Sequence, residues 1–377
     1  MLNNALFFTL GLAALIAGAE LLVRGASKLA AAFGISPLVV GLTVVAFATS
    51  APELAVSVGA ALGDASDIAL GNVIGSNIAN VLLILGLSAL IIPLAVHSQI
   101  IRQEVPIMIG ASLLLLTFAL DGSLGRFEGL VLFAALVAYT LFLVRQSRAA
   151  TQAEQAELTS DIPDAPWADG RPVQIALIVG GLALLALGAH WLVDAAVNVA
   201  RSLGVSDLTI GLTVVAIGTS LPELATSAVA ALRGERDIAV GNIIGSNIFN
   251  ICAVLGITGL IAPNGIPVSD IARTADLWIM VAAVLVCLPV ILTGREISRG
   301  EGGLFLAYYV AYTVWLILTA RQSAQAPAFA NLILGYALPA TIIFLAVDTV
   351  RHGEKGKPSP PEKSSQPESS PSHDENG

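Results

Sequence analysis

The sequence is poor in charge and in cysteine. Asp, Glu, Lys and Arg make up 12% of its 377 residues, whereas about a quarter is usual in a soluble domain. Its mean hydropathy is +0.83. These values exclude an ordinary soluble domain and indicate a polytopic membrane protein. The two cysteines, Cys252 and Cys287, both fall in apolar segments, so no disulfide framework is expected.

The sequence lacks three patterns that would indicate a nucleic-acid partner, an enzyme or a cleaved signal. There is no basic cluster with interleaved aromatic residues, so no nucleic-acid partner is expected. There is no HExxH-type pair and no nucleophile with a neighbouring base, so neither an enzyme nor a cofactor is expected. No basic region precedes the first apolar segment, so we expect a retained helix there and not a cleaved signal. Nor does any feature indicate an obligate protein partner.

Eleven apolar windows are long enough to cross a bilayer, which takes roughly 20 residues per helix. They lie near 5–24, 37–62, 68–93, 105–120, 128–145, 174–193, 207–231, 238–262, 276–293, 303–320 and 328–349.

Two polar stretches, 151–170 and 353–377, are rich in acidic residues and predict a linker and a disordered tail. The expected division is a first five-helix unit (1–146), a linker (147–172), a second five-helix unit (173–320), an extra helix (321–350) and a tail (351–377).

The basic residues predict the orientation in the membrane. With eleven crossings and the N-terminus outside, 14 of the 18 Lys and Arg residues lie inside, against 10 with ten crossings. The positive-inside rule therefore favours eleven crossings. We expect a multi-pass protein of the cell (inner) membrane whose linker and tail are cytoplasmic.

The two halves are copies of each other. The stretch GLTVVAFATSAPEL (41–54) recurs 170 residues later as GLTVVAIGTSLPEL (211–224), and 29 of 46 positions in 41–86 are identical at this offset. The same offset gives 12 identities in 26 positions over 11–36. Five helices is an odd number, so the second copy enters the membrane from the opposite side. Inverted repeats of this kind are typical of secondary transporters, with the substrate site at the midplane between the copies.

Each copy has a proline followed by a glutamate within an apolar helix. Pro52 cannot donate a helical hydrogen bond, so it loosens the preceding turn. Thr49, Ser50 and Glu53 surround this break with their oxygens on one side of the helix. An ionisable side chain at this depth predicts a functional site, because burying its charge is costly. The second copy repeats the set as Thr219, Ser220, Pro222 and Glu223.

The following helix adds amide and hydroxyl oxygens. In GNVIGSNIAN (71–80), Asn72, Ser76 and Asn80 form one polar line, and Asn242, Ser246 and Asn250 repeat it in GNIIGSNIFN (241–250). Carboxylate, carbonyl, hydroxyl and amide oxygens are ligands for hard cations, and Ca²⁺ takes six to eight of them. Two glutamates balance one Ca²⁺ or two Na⁺. The expected partners are therefore small inorganic cations and the lipid bilayer.

At these residues the chain resembles the cation/Ca²⁺ exchanger superfamily, in particular its prokaryotic Na⁺/Ca²⁺ exchanger-like branch. The paired TSxPE and GSNIxN sequences carry the resemblance, which covers the ten repeated helices. It implies two long helices, 5–31 and 174–203, that slide across the core, with Glu20 and His190 at equivalent positions. It also implies an ion-ligand set of Ala46 (through its carbonyl), Thr49, Ser50, Glu53, Ser76, Asn80, Ala216 (likewise), Thr219, Ser220, Glu223, Ser246 and Asn250.

One departure and two alternatives bear on the function. Many relatives have Asp where this chain has Asn250, so this site has two acids and not three, which argues against K⁺ cotransport. The resemblance implies a Ca²⁺ antiporter driven by Na⁺; the same fold driven by H⁺ is the alternative, with Glu53 and Glu223 titrating. A passive ion channel is disfavoured by the inverted repeat.

Overall fold

The computed structural model describes residues 2–63, 66–149, 170–203, 216–292 and 296–344. These residues form helices, several with a π-helical turn, and four two-residue strands. The helices are α1 (Leu2–Phe33), α2 (Pro37–Thr49), α3 (Ala51–Leu62), α4 (Ile68–Ile91), α5 (Ile100–Ala119), α6 (Arg126–Ala149), α7 (Arg171–Ser202), α8 (Ala216–Thr219), α9 (Leu221–Leu232), α10 (Arg236–Ile261), α11 (Ala272–Ile291), α12 (Arg299–Ala320) and α13 (Ala326–Phe344). The strands are β1 (Leu94–Ala95), β2 (Ser123–Leu124), β3 (Ile266–Pro267) and β4 (Glu296–Ile297).

The described helices agree with the predicted spans. Nine are long and apolar enough to cross a membrane, and α2 with α3 form a further span that is bent by 42°. The window predicted at 207–231 begins outside the described residues, and its described part is α8 and α9. The predicted linker (151–170) lies outside them except for its last residue, and the predicted tail (353–377) lies wholly outside them. The expected all-α membrane architecture is confirmed.

Helix α5 begins at Ile100, earlier than the predicted start at 105, although its first turns carry polar residues. Glu104 is fully buried there. It accepts hydrogen bonds from Tyr139 (2.7 Å), Gln99 (2.9 Å) and Gln103 (2.9 Å). Because a buried carboxylate is tolerated when donors satisfy it, the helix can extend through residues that hydropathy alone would exclude.

The second copy has the same pairing of an acid with a tyrosine. Tyr312 in α12 donates to Asp276 in α11 at 3.3 Å. Beyond the blocks with an offset of 170, the spacing between the copies increases, and Tyr312 and Asp276 lie 173 and 172 residues after their equivalents Tyr139 and Glu104. The pairing therefore joins the fourth and fifth helices of both repeats.

The long helices α1 and α7 pack against each other in antiparallel directions. Gly11 lies against Gly188, and Gly18 lies against Gly181. A Cβ atom at Gly18 would stand 2.7 Å from the Gly181 carbonyl oxygen, so only glycine permits this approach. Equivalent helices of the two copies therefore run in opposite directions.

Substitution of Gly18 tests this contact. We expect Gly18→Ala to lower thermal stability in detergent, by about 1–3 kcal/mol, as overpacking usually does. Gly180→Ala is the matched control, because no atom lies within 4 Å of a Cβ there, and it should be neutral. Equal melting temperatures for the two variants would contradict the close packing of α1 and α7.

The strands also join the two copies. β1 pairs with β4, and β2 pairs with β3, both antiparallel. Leu94 is opposite Ile297, and Leu124 is opposite Ile266. Each pair therefore links one repeat to the other and helps to fix how the helices α4, α5, α10 and α11 are arranged around the centre.

Candidate ion-binding site

Two helix breaks lie at equivalent positions of the repeats. Helices α2 and α3 are separated at Ser50 (φ −79°, ψ 3°), and α8 and α9 are separated at Ser220 (φ −89°, ψ 7°). Pro52 and Pro222 stand in the first turn of the helix that follows each break. Proline is tolerated there because it need not donate a helical hydrogen bond. The predicted interruption therefore exists in both copies.

The two glutamates lie just after these breaks and are fully buried. Ser50 of the first repeat donates to Oε1 of Glu223 in the second at 3.3 Å. In the reverse direction, Ser220 donates to Oε1 of Glu53 at 3.3 Å. Each carboxylate is thus bound by the serine of the other copy. This crossed arrangement places both acids in one site between the repeats.

Helices α4 and α10 contribute the other side of the site. Ser76 of α4 donates to Oε1 of Glu53 at 3.4 Å. Thr49 donates to Oδ1 of Asn242 in α10 at 3.0 Å, and its oxygen lies 3.4 Å from that of Ser246. The hydroxyl groups that the sequence singled out therefore meet across the repeat boundary.

Several buried oxygen atoms at this centre have no hydrogen-bond partner in the described part of the chain. They are Oε2 of Glu53, Oε2 of Glu223, and the Oδ1 atoms of Asn80, Asn247 and Asn250. A buried polar atom without a partner costs free energy, and an uncompensated buried carboxylate costs far more. Oxygen ligands around a hard cation would remove this cost. The donor set therefore fits a bound cation.

Ten of the twelve predicted site residues are buried, and the other two are Thr219 and Ala216. Thr219 is half-buried and lines a cavity, and Ala216 begins α8 with its side chain outside the described set. The Ala46 carbonyl accepts from the Ser50 N–H at 3.0 Å and from the Thr49 hydroxyl at 3.4 Å. The buried residues are Ala46, Thr49, Ser50, Glu53, Ser76, Asn80, Ser220, Glu223, Ser246 and Asn250.

Two asparagines that the sequence analysis did not single out connect the repeats. Asn77 of α4 donates to the Asn247 carbonyl of α10 at 3.3 Å. Asn250 in turn donates to Oδ1 of Asn77 at 3.2 Å. All three are fully buried. Their signal in the sequence was the asparagine that follows the serine in both GSN sequences.

The first asparagine of each polar line bonds to the helix that carries the glutamate of its own repeat. Asn72 donates to the backbone carbonyl of Glu53 (3.2 Å) and to Ser57 (3.0 Å). Asn242 makes the equivalent bonds to Glu223 (3.5 Å) and Ser227 (2.9 Å). These amides join the glutamate helices to α4 and α10, so they hold the carboxylates in position.

Two cavities differ in their relation to this site. One of about 220 Å³ lies beside the helix breaks and is lined by Pro52, Thr219, Pro222, His190 and other α7 residues. The larger one, of about 360 Å³, lies between α11, α12 and α13 and has an almost wholly apolar lining. Only the smaller cavity reaches the candidate ion ligands.

Comparison with known proteins decides the family. The model of the sodium/calcium exchanger protein family matches residues 3–145 and 173–318. The chain belongs to the sodium/calcium exchanger family. The two matched blocks coincide with the two repeats, and α13 lies beyond them.

Individual members of the family cover most of the chain. The putative antiporter CaxA of Alkalimonas amylolytica is 43% identical over 83% of this chain and 98% of its own length. The inner membrane protein YrbG of Escherichia coli is 39% identical over 84% and 97%. A solved structure of the sodium-calcium exchanger NCX_Mj, soaked with Na⁺ and Ca²⁺, aligns with a TM-score of 0.70 at 32% identity, over 82% of this chain and 97% of that one.

Membership gives the general activity of this exchanger. It is a multi-pass membrane protein and a cation/calcium antiporter, so it is a transporter and not an enzyme. Its helices have the arrangement of NCX_Mj. The predicted family and membrane location are confirmed at this level.

Proposed function

We propose that this exchanger moves Ca²⁺ against Na⁺ by alternating access, with the ions held between the repeats by the ligand set given above. The crossed pairing of Ser50 with Glu223 and of Ser220 with Glu53 is the observation that supports this most directly. Because each carboxylate is bound by the opposite repeat, the two repeats together form one ion site. In this proposal, α1 and α7 move across that site and open its two sides in turn.

The charge of the site supports exchange. Two buried carboxylates balance one divalent cation or two monovalent ones, so Ca²⁺ and Na⁺ compete for the same oxygens. Each ion replaces part of its hydration shell with hydroxyl, amide and carbonyl oxygen. Among the described residues, no group of three or more His, Cys, Asp and Glu side chains could hold a metal. We therefore assign the transported ions to this mixed set of acidic and neutral ligands.

Sodium is favoured over protons as the driving ion by one observation. Within the described ranges of the chain, serine hydroxyls and not cationic groups donate to both carboxylates, and the neighbouring neutral oxygens are ligands that Na⁺ can share. The solved relative NCX_Mj is a sodium-calcium exchanger that was soaked with both ions. A proton-driven antiporter of the same fold is the second candidate, because CaxA is described only as a putative antiporter.

Transport in proteoliposomes tests the coupling. We expect uptake of radioactive Ca²⁺ when a Na⁺ gradient is imposed, and no uptake above the leak when only a pH gradient is imposed. Added K⁺ should change neither result. Uptake that follows the pH gradient and ignores Na⁺ would establish the second candidate.

We further propose ten repeated spans plus α13, with the N-terminus outside. The proposal rests on the distribution of basic residues and on the antiparallel packing of α1 and α7. The described bounds of α13 permit one further crossing. The inner membrane location of YrbG supports the same membrane for this exchanger.

Cysteine labelling tests this orientation. Ser160→Cys and Ser370→Cys, in the linker and the tail, should both resist an impermeant maleimide added outside intact cells, and both should react after lysis. Native Cys252 and Cys287 are buried, so they give little background. Labelling of one position alone from outside would show that the number of crossings is not eleven.

A further inference from the structure

Helix α1 covers one side of the ion site closely. On the half that follows Gly18, Ala19, Val23 and Ala26 are 0%, 1% and 0% exposed, and Ser27 is 2% exposed. Helix α1 also packs against α9, the helix that carries Glu223. The side of the site next to this half of α1 is therefore closed.

An ion pair fixes this half of α1 to the second repeat. Arg233, directly after α9, pairs with both carboxylate oxygens of Glu20. Arg24, one turn along α1, pairs with Glu20 as well. Nearby, Ser27 donates to Glu235 at 3.0 Å. The contact thus adds an ion pair and a hydrogen bond to the apolar packing of this half of α1.

On the equivalent side of the site, α7 packs less closely than α1 does. A cavity of about 220 Å³ lies between α7 and the helix breaks there, although Val193 packs against Gly218 of α8. Val193, equivalent to Val23, is only half-buried and lines this cavity. His190 contacts Asp194 within its own helix at 3.4 Å.

The sequence explains the difference between the two sides. At the positions equivalent to Glu20 and Arg233 the chain has His190 and Gly63. The positions equivalent to Ser27 and Glu235 are Val197 and Ala65. An ion pair equivalent to Glu20–Arg233 therefore cannot form between α7 and the first repeat, and the pseudo-symmetry of the exchanger is broken at this contact.

We propose that the Glu20–Arg233 ion pair is the gate contact that holds α1 closed over the cytoplasmic side of the ion site. The inference rests on the proposed function, since an antiporter that works by alternating access must open its two sides in turn. In the proposed orientation the Glu20 half of α1 faces the cytoplasm. Breaking the pair shifts the population towards the state that is open to the cytoplasm, whereas the α7 side has no equivalent contact to lose.

The test measures access to each side separately from transport. The measured quantity is the rate at which a single introduced cysteine reacts with an impermeant maleimide. Val23→Cys reports access from the α1 side, and Val193→Cys, in a separate series, reports access from the α7 side. We expect Glu20→Gln or Arg233→Gln to speed labelling of Val23→Cys from the cytoplasmic side about fivefold, the upper range for a partly exposed ion pair. The same variants should slow labelling of Val193→Cys from outside.

Two controls separate a gate from a merely structural contact. Exchanging the charges, with Glu20→Arg and Arg233→Glu together, should restore the original labelling rates, because Arg24 also remains available to the new carboxylate. Asp194→Asn, which removes the charge from the contact within α7, should leave them unchanged. Thermal unfolding of each variant confirms that it is folded.

The outcomes distinguish this inference from the proposed function. Unchanged labelling in folded Glu20→Gln and Arg233→Gln, or no recovery in the charge exchange, overturns the gate even if Na⁺ drives Ca²⁺ uptake. Shifted labelling with recovery supports the gate even if the driving ion proves to be H⁺, because access is measured without any ion gradient.

Discussion

Glu53→Gln and Glu223→Gln should each abolish Ca²⁺ uptake in proteoliposomes while leaving the exchanger inserted and folded. In the proposed site, each substitution removes half of the charge that balances the cation, so a single carboxylate faces the divalent ion. Losing one member of a buried charge interaction costs about 2–5 kcal/mol. This corresponds to Ca²⁺ binding that is weaker by roughly 30-fold or more.

A buried carboxylate elsewhere provides the matched control. Glu104→Gln makes the same chemical change at a fully buried position, but Glu104 is satisfied by three donors, none of which is a proposed ion ligand. We expect this variant to lose stability and to keep its transport rate per folded molecule. Near-normal Ca²⁺ uptake by either site variant would falsify the proposed site. Equal losses in all three variants would indicate a general effect of removing buried acids.

Asn250→Asp should convert a K⁺-independent exchanger into one whose flux depends on K⁺ or on pH. In the proposed site, the native amide offers the ion an uncharged oxygen, whereas a third carboxylate would leave a Ca²⁺-loaded site with one negative charge in excess. The structure adds a second reason. Asn250 donates to Oδ1 of Asn77 at 3.2 Å, and only a protonated carboxyl could keep that bond. The variant therefore recruits either a proton or another monovalent cation.

The measurement is Na⁺-driven Ca²⁺ flux across a pH series, with and without K⁺. Asn250→Ala serves as the control, since it removes the oxygen without adding charge. It should weaken Ca²⁺ binding and stay independent of K⁺. Strong K⁺ dependence of the native protein, or identical profiles for the native and Asp variants, would show that residue 250 does not set the charge of the site.

The sequence determined the features that lie along single helices. Hydropathy predicted most spans, because a membrane helix must present apolar side chains around its surface. The offset of 170 residues identified the duplication, and with it the paired breaks at Pro52 and Pro222. The spacing of Thr49, Ser50 and Glu53 predicted that all three lie at the break, and they do. These features depend only on covalent order and helical period.

Contacts between helices were decided by the tertiary structure alone. The crossed bonds of Ser50 and Ser220, and the bond between Asn77 and Asn250, join residues more than 160 positions apart. Similarly, Glu104 in α5 was missed as part of a span, because its cost falls only when Tyr139 and two glutamines reach it. Partners of this kind follow from the direction and separation of packed helices, which local sequence does not contain.

The difference between the two sides of the site arises partly from the sequence and partly from the tertiary structure. The sequence determined that Glu20 and Arg233 have no charged equivalents at His190 and Gly63. Only the fold brought those two charges together, closed α1 over one side and left a cavity beside α7 on the other. Sequence identities reveal the repeat, but the closed packing of α1 and the cavity beside α7 follow from long-range contacts that differ between the two copies.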